Sequence, residues 1–266
     1  SADGWLTLVE RHVLEQGDNA LPIGTVTVRG TDVTIAAHPG LAITCDGEPV
    51  RERRLRSAED GGPEALHFRF DDCPSVYAHM HLTSQFQLLL NGTMDFPRGV
   101  KHLAALALHY TDHNMPYGPF AVSEGHDMLV LHPKAGGIIS MANLDARRQI
   151  NLRGRLFASL AAQSEWQPLP GADHSVFKFL MPPDFGPAAV VVGAPAHAAL
   201  AMPAAAFGRY EVVLDGCVIM EGKEIGPPGF RYVRGEKAAD PLVTGDRGAS
   251  VAFLTFDRDA LEGGIT

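Results

Sequence analysis

Two histidines one residue apart, His79-Met80-His81, are followed by Gln85 and then by Asn91-Gly92. Residues i and i+2 of a strand share a face, so His79 and His81 point the same way, as two imidazoles gripping one metal must. Five of the twelve histidines lie between residues 79 and 113: His79, His81, His102, His109 and His113. An even spread would put roughly two there, and such clustering is the pattern of a transition-metal site. His109, Thr111 and His113 share a face if one strand runs through them, and either histidine could complete the set. Gln85 offers a metal only a neutral carbonyl oxygen. An ion held by imidazoles and Gln85 therefore keeps its full double charge and favours an anionic ligand: a carboxylate, an enolate or hydroxide. Tyr77 is two residues before His79 and is expected to point into the same pocket. Tyr117 is a candidate proton donor, because a nearby cation lowers a phenol pKa. Asp112 is placed to orient a ligand histidine from behind.

The elements that must carry these residues read as short β-rich runs. Strands are expected at 25–29, 32–36, 41–45, 65–71, 75–82, 85–90, 103–111 and 127–131. The second half offers 175–180, 189–193, 209–214, 217–220, 230–234 and 250–256. Gly, Pro, Asn and Asp separate them, as turns require. One short helix is expected around 141–149. Many short strands at close spacing mean a sandwich, barrel or jelly roll.

The chain has 266 residues and 45% hydrophobic content, enough for one large β domain or two small ones. Net charge is -9, and the only basic run is Arg51-Glu52-Arg53-Arg54, read as a solvated loop. Phosphate binding needs clustered positive charge, so nucleic acid is not an expected partner. Cys45, Cys73 and Cys217 are far apart and form no C-x-x-C pair. That pattern suits a reducing cytoplasm rather than a disulfide framework. No apolar run reaches membrane-spanning length, and no signal peptide is recognisable, so a membrane is not an expected partner either. Glycine-rich nucleotide loops, the G-x-S-x-G elbow and H-E-x-x-H are all missing.

A weak internal repeat runs through the strands. Gln85–Gly92 (QFQLLLNG) is similar to Arg209–Gly216 (RYEVVLDG), and both end in pairs favoured at hairpin turns. Leu108-His109-Tyr110 is echoed by Phe230-Arg231-Tyr232, at a separation of 122 residues against 124 for the first match. Two β units follow, expected at 1–145 and 146–266. Sliding His79 and His81 by 124 residues lands on Pro203 and Ala205, and Gln85 lands on Arg209. Only the first unit is expected to keep a metal site.

At His79-x-His81-x3-Gln85-x6-Gly92 the chain resembles the cupin superfamily, whose first motif runs roughly G-x5-H-x-H-x3,4-E-x6-G. Cys73 stands where the leading Gly would fall, and Gln85 replaces the usual Glu. Pro97-Arg98-Gly99-Val100-Lys101-His102 fits part of the second motif. It begins five residues after Gly92, however, and leaves no room for the intervening hairpin. The stretch His109–Pro119 is better placed. There Pro116-Tyr117-Gly118 resembles the family's Pro-His-Gly end, with Tyr117 at the usual third histidine.

The resemblance implies an all-β, double-stranded β-helix (jelly-roll) fold in two tandem units, with one divalent transition metal in the first. Iron(II) is favoured, with zinc, nickel or manganese as alternatives. The family hosts dioxygenases, isomerases, lyases, decarboxylases and binding proteins. The expectation is a non-haem iron oxygenase acting on a small carboxylate or enolisable ketone. Its ligands would be His79, His81, Gln85 and His109 or His113, with Tyr117 and Tyr77 as acid/base groups. The alternatives are a redox-neutral isomerase or lyase and a non-catalytic small-molecule-binding bicupin. A small anionic substrate is the expected partner, and the resemblance implies a homodimer.

Overall fold

The computed structural model describes residues 25–28, 31–34, 44–45, 48–49, 51–56, 63–70, 75–97, 102–134, 136–142, 144–200, 205–220, 222–235 and 241–262. Cys73, Pro203 and most of the expected strand at 41–45 lie outside them. The chain forms two compact units, one mainly on Val33–Ala161 and the other mainly on Ala162–Arg258.

The strands that matter in the first unit are β1 (Arg51–Arg56), β2 (Glu64–Phe70), β3 (His79–His81), β4 (Gln85–Asn91), β5 (Thr93–Asp95) and β6 (His102–Ala104). They continue with β7 (Ala107–Thr111), β8 (Phe120–Val122), β9 (His126–His132), β10 (Ile138–Ser140) and β11 (Leu156–Leu160). Six form one antiparallel sheet in the order β11-β7-β4-β9-β2-β1. A second sheet runs β6-β5-β8 and ends on the short strand Ser75–Val76. The two-stranded pair β10-β3 stands apart from both. The basic run at Arg51 is thus a strand paired with β2, not a loop. Strand β11, where the sequence suggested no strand, pairs with β7. The expected helix near 141–149 is a 3-10 turn at Asp145–Gln149. Among the described residues no helix is long and apolar enough to cross a membrane.

The core lies between the two sheets. Leu66, Phe68, Leu89, Ala107, Met128 and Val130 from the larger sheet meet Val76, Met94, Leu103, Phe120 and Val122 from the smaller. Side chains alternate along a strand, so this inner face also takes Glu64, Gln85, Gln87, His109, Thr111 and His132. All six are buried. One end of the interior is apolar and the other is polar.

Asn91-Gly92 does not turn a hairpin. Strand β4 pairs with β7 and β9, whereas β5, directly after Gly92, pairs with β6 and β8. The chain passes from one sheet to the other at this corner. Gly92 has φ +79°, and an added Cβ would lie 2.6 Å from Ser123 Oγ, so the corner needs glycine on both counts. Asp215-Gly216 behaves similarly: it sits inside a single strand, Arg209–Met220, at a bulge opposite Ala249. A left-handed glycine can bend or bulge a continuing strand as readily as it can reverse one.

The second unit contains β12 (Val176–Met181), β13 (Ala188–Ala194), β14 (Arg209–Met220), β15 (Phe230–Val233) and β16 (Leu242–Thr255). They join in the order β12-β13-β16-β14, with β15 on β14. Its core includes Val192, Val213, Val218, Leu242, Val251 and Phe253. The repeat extends to cross-strand register. Phe86 opposes Tyr110 as Tyr210 opposes Tyr232, and Gln87 opposes His109 as Glu211 opposes Arg231. Leu131 opposes Phe86 as Leu254 opposes Tyr210.

Candidate metal site

Strand β3 brings the two leading histidines to the polar end of the first unit. It pairs on one side with β10, where His79 opposes Ser140 and His81 opposes Ile138. On its other side the backbones of His79 and Tyr117 exchange hydrogen bonds of 3.1 and 3.0 Å. Asn114 N–H donates to His81 C=O at 2.7 Å. Tyr117 is thereby locked beside His79, with the ring centroids 4.4 Å apart. The His81 ring lies 5.1 Å from that of His79 and 5.2 Å from that of His132.

Hydrogen bonds fix the proton positions. His79 Nδ1 lies 2.7 Å from the Tyr77 carbonyl, which can only accept, so Nδ1 carries the proton. Burial lowers the His79 pKa to about 4 against that carbonyl bond, so the ring is neutral and its Nε2 bears a lone pair. That lone pair accepts the Tyr117 hydroxyl proton over 2.7 Å. His109 follows the same logic. Its Nδ1 donates to Gln87 Oε1 at 2.6 Å, and burial, then the nearby His79, lower its pKa to about 3. Its Nε2 is likewise a lone pair.

The Tyr117 oxygen is also an acceptor. Gln85 Nε2 donates to it at 2.9 Å and Gln87 Nε2 at 2.7 Å. Both amides are held by their far ends. Gln87 Oε1 takes the His109 proton, and Gln85 Oε1 faces His132 Nε2 at 3.1 Å. His132 Nδ1 in turn faces Glu64 Oε2 at 3.1 Å. Gln85 Nε2 also donates to Thr111 Oγ1 at 3.1 Å. Burial raises the Tyr117 pKa, and the two amide bonds act against that rise.

The structure therefore brings His79, His81, Gln85, His109 and Tyr117 together. It turns the Gln85 carbonyl oxygen toward His132 rather than toward Tyr117. His113 lies past the end of β7, because the strand stops at Thr111 and Asn114 has φ +55°. Tyr77 is 36% exposed; its backbone carbonyl accepts from His79 Nδ1, and its ring stands edge-on to the His79 ring, with centroids 5.5 Å apart. The expected alternation fails there because the strand is interrupted between Val76 and His79. Asp112 accepts from Arg155 Nε at 2.8 Å and from Tyr110 Oη at 2.6 Å. His102 is exposed and bonded to Asp95.

Sequence reasoning missed Gln87, His132 and Glu64. Gln87 had a visible signal, two residues from Gln85 on one strand. The other two lie one residue outside the expected strands at 127–131 and 65–71.

A divalent ion fits the chemistry of these donors. Two neutral imidazoles, His79 and His109, present Nε2 lone pairs, and each has its other nitrogen tied to an oxygen, as ligand histidines require. Among the described residues, however, no three His, Cys, Asp or Glu side chains group to hold a metal. The Tyr117 hydroxyl is the group bonded to the His79 lone pair.

The second unit contrasts. At the register positions of Gln85, Gln87 and His109 stand Arg209, Glu211 and Arg231, all buried. Arg209 Nε donates to Glu211 Oε1 at 2.8 Å, and Arg231 Nε to Glu211 Oε2 at 2.5 Å.

The sheets, their corner glycines and the repeat define a cupin-type jelly roll, and solved structures agree. A putative dioxygenase from Nostoc punctiforme superimposes with a TM-score of 0.59 at 11% identity, over 99% of this chain and 85% of that one. Oxalate decarboxylase from Bacillus subtilis gives 0.52 at 13% identity, over 78% and 72%. Vicilin from hazelnut, Corylus avellana, gives 0.50 at 7% identity, over 78% and 80%. No protein-family model and no curated protein matches the sequence.

Proposed function

We propose that the chain is a metal-dependent cupin enzyme acting on a small anionic metabolite, with one divalent ion in its first unit. The observation that carries this reading is the pair of buried neutral imidazoles, His79 and His109, whose Nε2 atoms bear lone pairs, that of His79 bonded to the Tyr117 hydroxyl in the metal-free protein. His79 and His109 would hold the ion through Nε2, with His81 beside His79 on β3. The ion would supply Lewis acidity and, if it is iron, a means of activating oxygen.

The rest is the work of the chain's own residues. Tyr77 C=O and Gln87 Oε1 hold the two rings in the ligating tautomer. Burial keeps both rings uncharged at neutral pH, so neither ring carries a proton of its own on Nε2. Neutral ligands leave positive charge on the ion, which favours an anionic substrate. Tyr117 keeps one proton on Oη, aimed at His79 Nε2.

The finer reading is a non-haem iron oxygenase acting on a carboxylate or enolisable ketone. A neighbour described as a dioxygenase supports it. Oxalate decarboxylase, whose Mn(II) centres are described, supports a metal-bound carboxylate more generally.

Elemental analysis tests the proposal on the purified protein and on His79→Ala and His81→Ala. One ion per chain, lost in both variants, is expected. Iron directs the substrate search to oxygen-consuming assays, whereas zinc or nickel favours isomerase or lyase chemistry. No bound metal after reconstitution overturns the proposal.

A further inference from the structure

We propose that the exposed segment 144–156 of the first unit docks on an anionic lipid surface, its leucines entering the headgroup layer and its arginines pairing with lipid phosphates. The contact is independent of any metal. A segment that lies on a bilayer needs no apolar run of spanning length.

Exposure and charge carry the inference together. Leu144, Leu152 and Leu156 are 69%, 91% and 41% exposed, three large apolar side chains facing water within thirteen residues. Single exposed leucines need no explanation, but a cluster of them marks a contact surface. Arg147, Arg148 and Arg153 alternate with them along the chain and are also exposed. Among the described residues, none of these three guanidinium groups is paired with a carboxylate. Arg155 differs, being held on Asp112 at 2.8 Å. Asp145 is the segment's one acid, so a chain of net charge -9 carries a local excess of positive charge beside exposed leucines. Fields fade over about 8 Å at physiological ionic strength, so an approaching anionic surface meets these arginines rather than the net charge.

The segment is fixed at both ends. Where it leaves β10, Met141 N–H donates to Ala78 C=O at 2.9 Å. Asn151 N–H donates to Asn114 C=O at 2.9 Å, and Arg155 N–H to Asp112 Oδ2 at 2.8 Å. Two turns fold the part between, closed by Arg147 N–H on Leu144 C=O and by Gly154 N–H on Asn151 C=O. The leucines thus stand on a held base, and docking has little backbone left to order.

A bilayer suits this shape better than a protein. Leu152 stands clear of its neighbours, so a protein partner would have to enclose it in a pocket of its own. Protein hot spots also favour Trp and Tyr over Leu. Lipid headgroups part around an aliphatic tip, and a guanidinium fork takes two phosphate oxygens at once. A second copy docked symmetrically would set these arginines against themselves.

The test is co-sedimentation of the full chain with vesicles of phosphatidylcholine alone and of phosphatidylcholine mixed with phosphatidylglycerol. Binding to the mixed vesicles only is expected, weakening as salt rises. Leu144→Ser combined with Leu152→Ser should weaken it by about 10-fold or more. Replacing Arg147, Arg148 and Arg153 together by Gln should weaken it by about 100-fold. Val243→Ser, at an exposed apolar site of the second unit, should leave it unchanged. Circular dichroism checks that each variant, changed only at exposed side chains, is folded. No binding to the mixed vesicles overturns the proposal. Binding that the leucine changes leave intact overturns it in favour of simple anion capture. A dimer that forms without vesicle binding and is lost in Leu152→Ser overturns it in favour of a second copy.

Discussion

Replacing Tyr117 by Phe removes one oxygen and strands three groups. In the metal-free protein His79 Nε2 loses its donor, Gln87 Nε2 loses its acceptor, and Gln85 Nε2 keeps only Thr111. Each buried polar group left unsatisfied costs about 1–3 kcal/mol, so two full orphans give roughly 2–6 kcal/mol. Sparing the hydroxyl its own desolvation returns about 1–3 kcal/mol. A net loss of about 2 kcal/mol follows, because the anchored amides cannot turn to find new partners. At about 2–4 °C per kcal/mol, the first unit should melt roughly 4–8 °C lower. Tyr110→Phe is the control. Its hydroxyl donates to Asp112, which keeps Arg155 at 2.8 and 3.0 Å, so about 1 kcal/mol is at stake. Both variants would be melted in chelator by calorimetry, which separates the transitions of two units. The network reasoning is refuted if Tyr117→Phe melts within about 2 °C of wild type or no lower than Tyr110→Phe.

Three further outcomes follow from the same geometry. The folded pKa values of His79 and His109, about 4 and about 3, lie below the ordinary 6.5, so the unfolded chain binds more protons between them. Metal-free stability is therefore full above pH 6.5 and is lost as pH falls toward 4, by up to about 2.7 kcal/mol per pH unit. A melting temperature that stays flat from pH 7 to about 4.5 contradicts it. Gln85→Glu should retain the ion but bind azide or acetate less tightly, because a carboxylate cancels part of the metal's charge; equal anion affinity in spectroscopic titrations argues against a neutral ligand set. Glu211→Gln should cost the second unit about 3–5 kcal/mol by leaving two buried guanidinium groups uncompensated, with metal stoichiometry unchanged. An unaltered calorimetric transition would show that the triad carries no such burden.

The β class and the repeat were legible because both rest on alternation and on residue pairs. QFQLLLNG and RYEVVLDG announce two equivalent strands, and their cross-strand partners match. What those strands do at Asn91-Gly92 and Asp215-Gly216 was not legible. A positive φ suits a hairpin, a bulge and a corner alike, and only the pairing of β5 with β6 separates them. His79 and His81 were legible from spacing alone. Their tautomers were not, because these depend on a backbone oxygen at Tyr77 and on a side chain from another strand. His132 and Glu64 were lost to strand ends set one residue short, where pattern reading is weakest. His113 was given a strand face on condition that the strand reached it, and nothing in its own residue type marks β7 as ending at Thr111.

The matched register also sets the two units apart in their buried charge. Gln87 opposite His109 and Glu211 opposite Arg231 are one cross-strand pair in two versions. Each must satisfy buried polar groups without water. The first version does so with neutral partners, the His109 imidazole donating to the Gln87 amide oxygen. The second uses full charges, two guanidinium groups on one carboxylate. That triad has no lone pair except on Glu211, whose oxygens are both engaged, and it carries a net positive charge. A divalent ion entering there would meet repulsion and no ligand. At the same three positions, Gln, Gln and His bury neutral polar groups, and Arg, Glu and Arg bury charged ones.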